Sequence, residues 1–148
     1  MIVRTLSLRQ PWAWYVLNGK DIENRRWSTK HRGLFLIHAA KGMTRQEYAF
    51  ARDFAGFDPP PFEELLRGGI VGATTLLEVI PPGPSGRRWH MQEQYGFVLG
   101  PRIELPFRPL KGALSFFSVE TTPEESLLLA TLRPPVGIPF IPGEDFFL

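Results

Sequence analysis

Ser7-Leu8-Arg9-Gln10-Pro11-Trp12-Ala13-Trp14-Tyr15-Val16-Leu17-Asn18-Gly19-Lys20-Asp21-Ile22-Glu23-Asn24-Arg25-Arg26-Trp27 is the stretch that decides the fold. It reads as the end of a strand, a short helix and a second strand. Residues 2–8 alternate in polarity, which predicts the first strand. Pro11 suits the opening turn of a helix, since its φ is fixed and its missing N–H costs nothing there. Gly19 is the residue type that stops a helix just past its end. A helix of two turns is about 11 Å long, so the chain leaves and re-enters one neighbourhood. On the second strand, expected over 22–28, side chains alternate between faces. Glu23, Arg25 and Trp27 therefore share one face, and Ile22, Asn24 and Arg26 the other. A carboxylate, a guanidinium and an indole in a row suit a base edge, a phosphate and a base face. The same spacing equally suits a cross-strand ion pair beside a core tryptophan.

Outward from this stretch, Lys30 to Gly33 predicts a turn and 34–39 a buried strand. Thr44 followed by Glu47 is a capping-box pattern, and its helix should run to about Phe54. Residues 56–61 read as a Gly/Pro loop, 62–67 as a short helix ended by Gly68-Gly69, and 70–80 as a long apolar strand. Residues 81–88 are a loop. Strands follow near 95–105 and 113–120, and Thr121 or Thr122 caps a helix over 123–132. Residues 134–148 carry four prolines and two glycines and should be extended. Short strands with interspersed helices predict an α+β domain whose strands close into a barrel. There is no internal repeat and no dividing linker, so 1–148 reads as one domain.

The 148 residues are ordinary in composition, with net charge +2 and no cysteine. A disulfide framework and thiolate metal sites are thereby excluded, which fits a reducing, cytoplasmic setting. Charge is unevenly spread. Residues 1–41 hold eight Lys or Arg against Asp21 and Glu23, while 121–148 hold one Arg against four acids. Such asymmetry suits an anionic partner at the basic end, or simply a solvated basic face. The first eight residues lack the apolar core of a signal peptide, and no run approaches a membrane span.

Several motifs in register resemble the ASCH domain. They are Leu6-Ser7-Leu8-Arg9-Gln10-Pro11-Trp12, Gly19-Lys20-x-x-Glu23-x-Arg25-x-Trp27, Arg32-Gly33 and Ile37-His38-Ala39. Gly69-Ile70-Val71-Gly72, Tyr95-Gly96-Phe97-Val98-Leu99 and Lys111-Gly112-Ala113-Leu114-Ser115-Phe116-Phe117 continue the series. The resemblance covers about 2–120 and leaves a C-terminal helix and a Pro/Gly-rich tail over 121–148. It implies a PUA-like mixed β-barrel with flanking helices, and a cleft that takes RNA or a modified nucleoside. The candidate binding residues are Ser7, Arg9, Gln10, Trp12, Lys20, Arg25, Trp27, Trp89, Tyr95, Lys111 and Ser115. Lys20, Glu23 and Arg25 should converge with Gln10 on one concave surface.

Some ASCH members are small amidohydrolases that remove acyl groups from N4 of acylated cytidine, and others are reported as ribonucleases. In the amidohydrolases a lysine opens the motif and a hydroxyl residue three positions on is the nucleophile. Lys20 matches the lysine, but Glu23 stands where the hydroxyl belongs. Lys20 and Glu23 are therefore the candidate catalytic pair, Glu23 as general base on water and Lys20 holding an oxyanion. An RNA-phosphodiester hydrolase is a further alternative, as is a protein-interaction adaptor working through the apolar tail.

The remaining candidates are less specific. His38 ends a buried strand and suits a base or a hydrogen-bonded core residue. His31 is expected to be exposed, and His90 lies in a loop. Histidines so scattered predict no metal site, and the glycines form no nucleotide-cofactor fingerprint, so no cofactor is expected. Trp12 and Trp14 stand two residues apart and cannot share a helix face, so one should be core and the other should line the cleft. Trp89 and Tyr95 suit base stacking or simple packing. Gly112, between Lys111 and Ser115, would permit close approach of a ligand. Leu127, Leu128, Leu129 and Leu132 read as a stripe docking on the core.

Overall fold

Residues Gly33–Ala39 are buried at every position, the mark of a strand covered on both faces. They form β3, inside a six-stranded mixed sheet. The computed structural model describes residues 1–132. In chain order the elements are β1 (Ile2–Leu8), α1 (Trp12–Leu17), β2 (Ile22–Arg25), β3, α2 (Arg45–Ala55), a 3₁₀ turn at Phe62–Glu64, β4 (Gly69–Ile80), β5 (Tyr95–Pro109), β6 (Phe117–Glu120) and α3 (Pro123–Leu129). The sheet order is β2-β5-β4-β3-β1-β6. β1 and β3 run parallel, with Ser7 opposite His38. A parallel pair needs a crossover rather than a hairpin, and α1 with β2 lies within that connection. The other ladders are antiparallel.

The α+β class is as expected, but closure into a barrel is not. The ladder ends at β2 on one side and β6 on the other, so the sheet is open. It is nevertheless strongly curled. β4 and β5 shift register between Ile70 and Gly72, Thr74 and Leu76, and Leu76 and Glu78. Bulges of this kind bend a strand and add twist. The curl brings β2 back toward β1, and Arg25 Nη2 donates to the Ser7 carbonyl at 2.8 Å. Trp27 closes the same gap, its ring 5.4 Å from Phe97 and 6.0 Å from Phe116. One apolar cluster, including Leu6, Leu8, Val16, Phe35, Ile37 and Phe97, fills the inside of the curl. A second, with Val3, Leu34, Leu36, Ile70, Leu129 and Leu132, packs under α3. Gly72 lets α1 approach the sheet, because a Cβ there would stand 2.6 Å from Leu17.

The local expectations meet the structure unevenly. Thr44 and Glu47 make the capping box of α2, and Thr122 and Glu125 make one for α3. Pro11 stands at the N-cap of α1 rather than inside its first turn. The helix expected over 62–67 is only the 3₁₀ turn, and β5 runs on to Pro109. The strand expected from 113 starts at Phe117, since Ser115 has a φ of 58° that breaks extended pairing. In the leucine stripe, Leu129 and Leu132 are core, but Leu127 is 75 % exposed. The extended tail expected over 134–148 lies outside the described residues. Among the described residues no helix is long and apolar enough to cross a membrane.

Candidate functional site

The two-turn α1 ends at Leu17, and the Lys20 N–H bonds back to the Tyr15 carbonyl at 2.9 Å. Gly19, at φ +119°, supplies the reversal that only glycine makes freely. The turn aims Lys20 inward, where its side chain is 1 % exposed. Lys20 Nζ donates to the Ile22 carbonyl, stands 3.7 Å from Glu23 Oε1 and lies 5.2 Å from the centre of the Trp12 ring. Burial pushes the Lys20 ammonium below its ordinary pKa, a push opposed by Glu23 and reinforced by Arg25. Glu23 is itself held from its other side, with Arg25 Nε donating to Oε2 at 3.1 Å. Arg25 lies 5.8 Å over the Trp27 ring. The row Glu23, Arg25, Trp27 thus exists as a chain of contacts.

Lys20 and Glu23 form the floor of a cavity of about 400 Å³. Trp12 and Phe50 stand on its walls, 6.1 Å apart in an edge-to-face arrangement. Asn24, Gln46, Glu47, Met91 and Gln94 complete the lining. Of the two helix tryptophans, Trp12 is therefore the one on this cavity. Trp14 packs by Tyr15 and lines a separate, smaller pocket with Gln10. Gln10 does not join the convergence expected of it. Its amide donates to the Leu66 carbonyl and its oxygen accepts from the Trp14 N–H, so it braces the chain instead. Arg9 reaches the rim indirectly, through two 2.5 Å bonds to Glu47.

Of the cavity-facing residues of α2 only Glu47 belonged to a motif, the capping box, which says nothing of a site. Gln46, Glu47 and Phe50 recur at helical spacing, so helix periodicity places them on one side, but which side meets the cleft depends on tertiary packing. Phe50, 57 % exposed on an amphipathic helix, was the available signal. Asn24 was expected on the face away from Glu23. It reaches the cavity wall while its side chain anchors the loop before β5, donating to the Trp89 carbonyl and accepting from Met91 N–H.

The other candidates separate from this cavity. Ser7 and Lys111 line a second cavity, of about 820 Å³, with His38, Lys41, Gly112 and Leu114. There Ser7 Oγ lies 2.8 Å from His38 Nδ1, and His38 Nε2 lies 2.6 Å from the Leu110 carbonyl. Gly112 does permit close approach, but to this chain's own His38, 2.7 Å from where its Cβ would be. Trp27 and Tyr95 pack against the inner core cluster. Trp89 packs on the Tyr15 cluster under Arg88, whose guanidinium is 4.5 Å from its ring centre. Ser115 is exposed on the loop before β6. His31 is half-buried, bonded to the Leu34 carbonyl and packed on Phe116. His90 is buried between Ser85 and the Gln94 carbonyl. Among the described residues, no three His, Cys, Asp or Glu side chains cluster to hold a metal ion.

No curated protein matches the chain. The family model described as the ASCH domain matches residues 6–122, which runs from the end of β1 through β6 and takes in both cavities. The chain belongs to the ASCH domain family, which is generally linked to RNA binding.

Proposed function

We propose that the protein binds an unstacked base of RNA, or a modified nucleoside, in the cavity between α1, β2 and α2. The observation that carries this reading is the pairing of Trp12 and Phe50 on the walls with the dry Lys20–Glu23 pair on the floor. Single-stranded RNA is recognised by stacking bases on aromatic side chains and reading their edges with polar groups. A Glu23 carboxylate accepts the exocyclic amine of a base such as cytosine. About 400 Å³ lies near the lower end of small-ligand pockets, which suits one nucleoside. The curl of the sheet and its Arg25 strap support a PUA-like pseudo-barrel over the described residues.

The test is calorimetric titration with cytidine, N4-acetylcytidine and short unstructured RNAs. Trp12→Ala should weaken binding by about 1–3 kcal/mol, the range for one stacked base. Wild-type affinity in Trp12→Ala would remove the reading. The salt dependence should come from exposed cations rather than from Lys20, because a buried ammonium paired with Glu23 does not reach a phosphate to release its condensed counterions.

A second reading, hydrolysis of an acylated cytidine amide, is favoured by the Lys20–Glu23 pair itself. Glu23 would take the proton of an attacking water, and Lys20 would hold the developing oxyanion in a water-poor site. Glu23→Gln should lower turnover of N4-acetylcytidine by about 10²–10⁴ with binding largely kept. Unchanged turnover in that variant assigns the carboxylate to positioning Arg25 alone.

A further inference from the structure

The second cavity holds an arrangement that base binding does not use. Ser7 on β1 and His38 on β3 are paired residues of a parallel ladder, which fixes their side chains against each other. A carbonyl oxygen only accepts, so the contact from His38 Nε2 to the Leu110 carbonyl places the imidazole proton on Nε2. Nδ1 is then an unprotonated acceptor, and the Ser7 hydroxyl donates to it across 2.8 Å. This is a hydroxyl bonded to a base, with the base oriented by a third group, the general signature of an activated nucleophile. His38 is buried while Ser7 remains partly open, and both line the cavity of about 820 Å³. Lys41 and Lys111 line the same cavity, with apolar surface from Leu110, Ala113 and Leu114. It shares no lining residue with the Trp12 cavity.

We propose that Ser7 is a catalytic nucleophile and His38 its general base, in an esterase site for carboxylic esters whose acyl chain ends in an anionic group. Ser7 Oγ attacks the ester carbonyl carbon as its proton passes to His38 Nδ1. The bond to the alcohol oxygen breaks, and the alcohol leaves with the proton from Nδ1. Water then adds to the acyl-serine, giving its proton to Nδ1. Ser7 Oγ departs and recovers that proton, so the products are one acid and one alcohol. Lys41 and Lys111 supply the cations that select the charged acyl end. The proposal stands apart from base binding and survives its failure.

The chain carries its own control. Ser85 Oγ lies 2.7 Å from His90 Nδ1, and His90 Nε2 lies 2.7 Å from the Gln94 carbonyl. That serine sits on an exposed loop, outside the cavity that Lys41 and Lys111 line. The full chain is incubated with a fluorophosphonate, and the adduct is located by peptide mass spectrometry. In parallel, hydrolysis of p-nitrophenyl hemisuccinate is compared with that of p-nitrophenyl butyrate. A single adduct at Ser7 is expected, absent from Ser7→Ala. His38→Gln should slow both labelling and hydrolysis by about 100-fold or more. Lys111→Ala, at an exposed site, should raise KM about threefold more for the hemisuccinate than for the butyrate. If His38→Gln does not fold, the wild-type choice between Ser7 and Ser85 decides the matter. No adduct at Ser7, equal labelling of Ser85, or wild-type hydrolysis by Ser7→Ala would overturn the proposal.

Discussion

Tyr15 shows how far one buried phenol shapes the protein's response to alkali. Its ring is fully buried and its hydroxyl donates to the Phe57 carbonyl at 2.5 Å. Burial pushes its pKa up to about 12, helped by nearby Tyr48 and Asp58 and opposed by Arg52. In the unfolded chain the phenol releases its proton near pH 10. A raised folded pKa means that the native state holds the proton longer. The stability it contributes is therefore complete below about pH 10 and drains as the pH climbs toward about 12. Tyr15→Phe should cost about 1 kcal/mol at neutral pH and flatten the alkaline loss. Urea unfolding at pH 8 and pH 11 measures both effects. A loss between those pH values as steep as in wild type would show that Tyr15 is not its source. Single residues also set the limit of sequence reading. Lys20, Glu23 and Trp12 announce themselves by type and spacing, whereas the bracing role of Gln10 follows from Leu66, a residue 56 positions away.

At the scale of elements, α3 rests on a buried charge with two duties. Glu125 is 2 % exposed and closes the capping box with Thr122. It also takes a two-pronged grip from Arg108 on β5, Nε and Nη2 each at 2.9 Å. Burial alone would raise the Glu125 carboxyl pKa, but the bonds from Arg108 and Thr122 outweigh it and hold the group below its ordinary value. A depressed carboxyl pKa stabilises the fold at neutral pH, and that support is lost as the pH falls through the folded value. Arg108→Met should destabilise by about 3 kcal/mol at pH 7, because it strands a buried carboxylate. The gap to wild type should narrow at pH 3, where the carboxyl is protonated in the variant. Parallel urea melts at the two pH values report it, and a constant gap would reject the mechanism. The α2 capping box was legible beforehand because capping is chemistry between residues three apart, whereas for α3 only the cap itself, Thr121 or Thr122, was read and not its Glu125 partner. The start of β6 was not, since the apolar residues before it pattern like a strand while Ser115 takes a left-handed conformation. The bulges of β4 and β5 were equally hidden, being properties of a pairing rather than of either strand.

For the molecule as a whole, Arg25 is a strap across an open sheet. Steadied by Glu23 on its own strand, it ties β2, an edge strand, to Ser7 on β1, four places away in the sheet order. Arg25→Met should cost about 2 kcal/mol, typical of hydrogen bonds from a charged donor. It should also speed hydrogen exchange at β2 more than in β3. Uniform acceleration across the sheet would mean that β2 is held by its ladder alone. The expected barrel failed at this scale for a physical reason. Patterning predicts strands and their buried faces, but closure depends on whether the last edge meets the first, and here a side chain spans the gap instead of a backbone ladder. The position of β1 has one more effect, on the order of events during synthesis. It precedes the other described strands in the chain, yet it sits between β3 and β6, paired through Thr5 to Phe117 and through Ile2 to Glu120. Loops that long are slow to close. As the chain leaves the ribosome, one side of β1 stays bare until β6 has emerged. The β1–β6 ladder can therefore form only after the whole stretch between the two strands has been made.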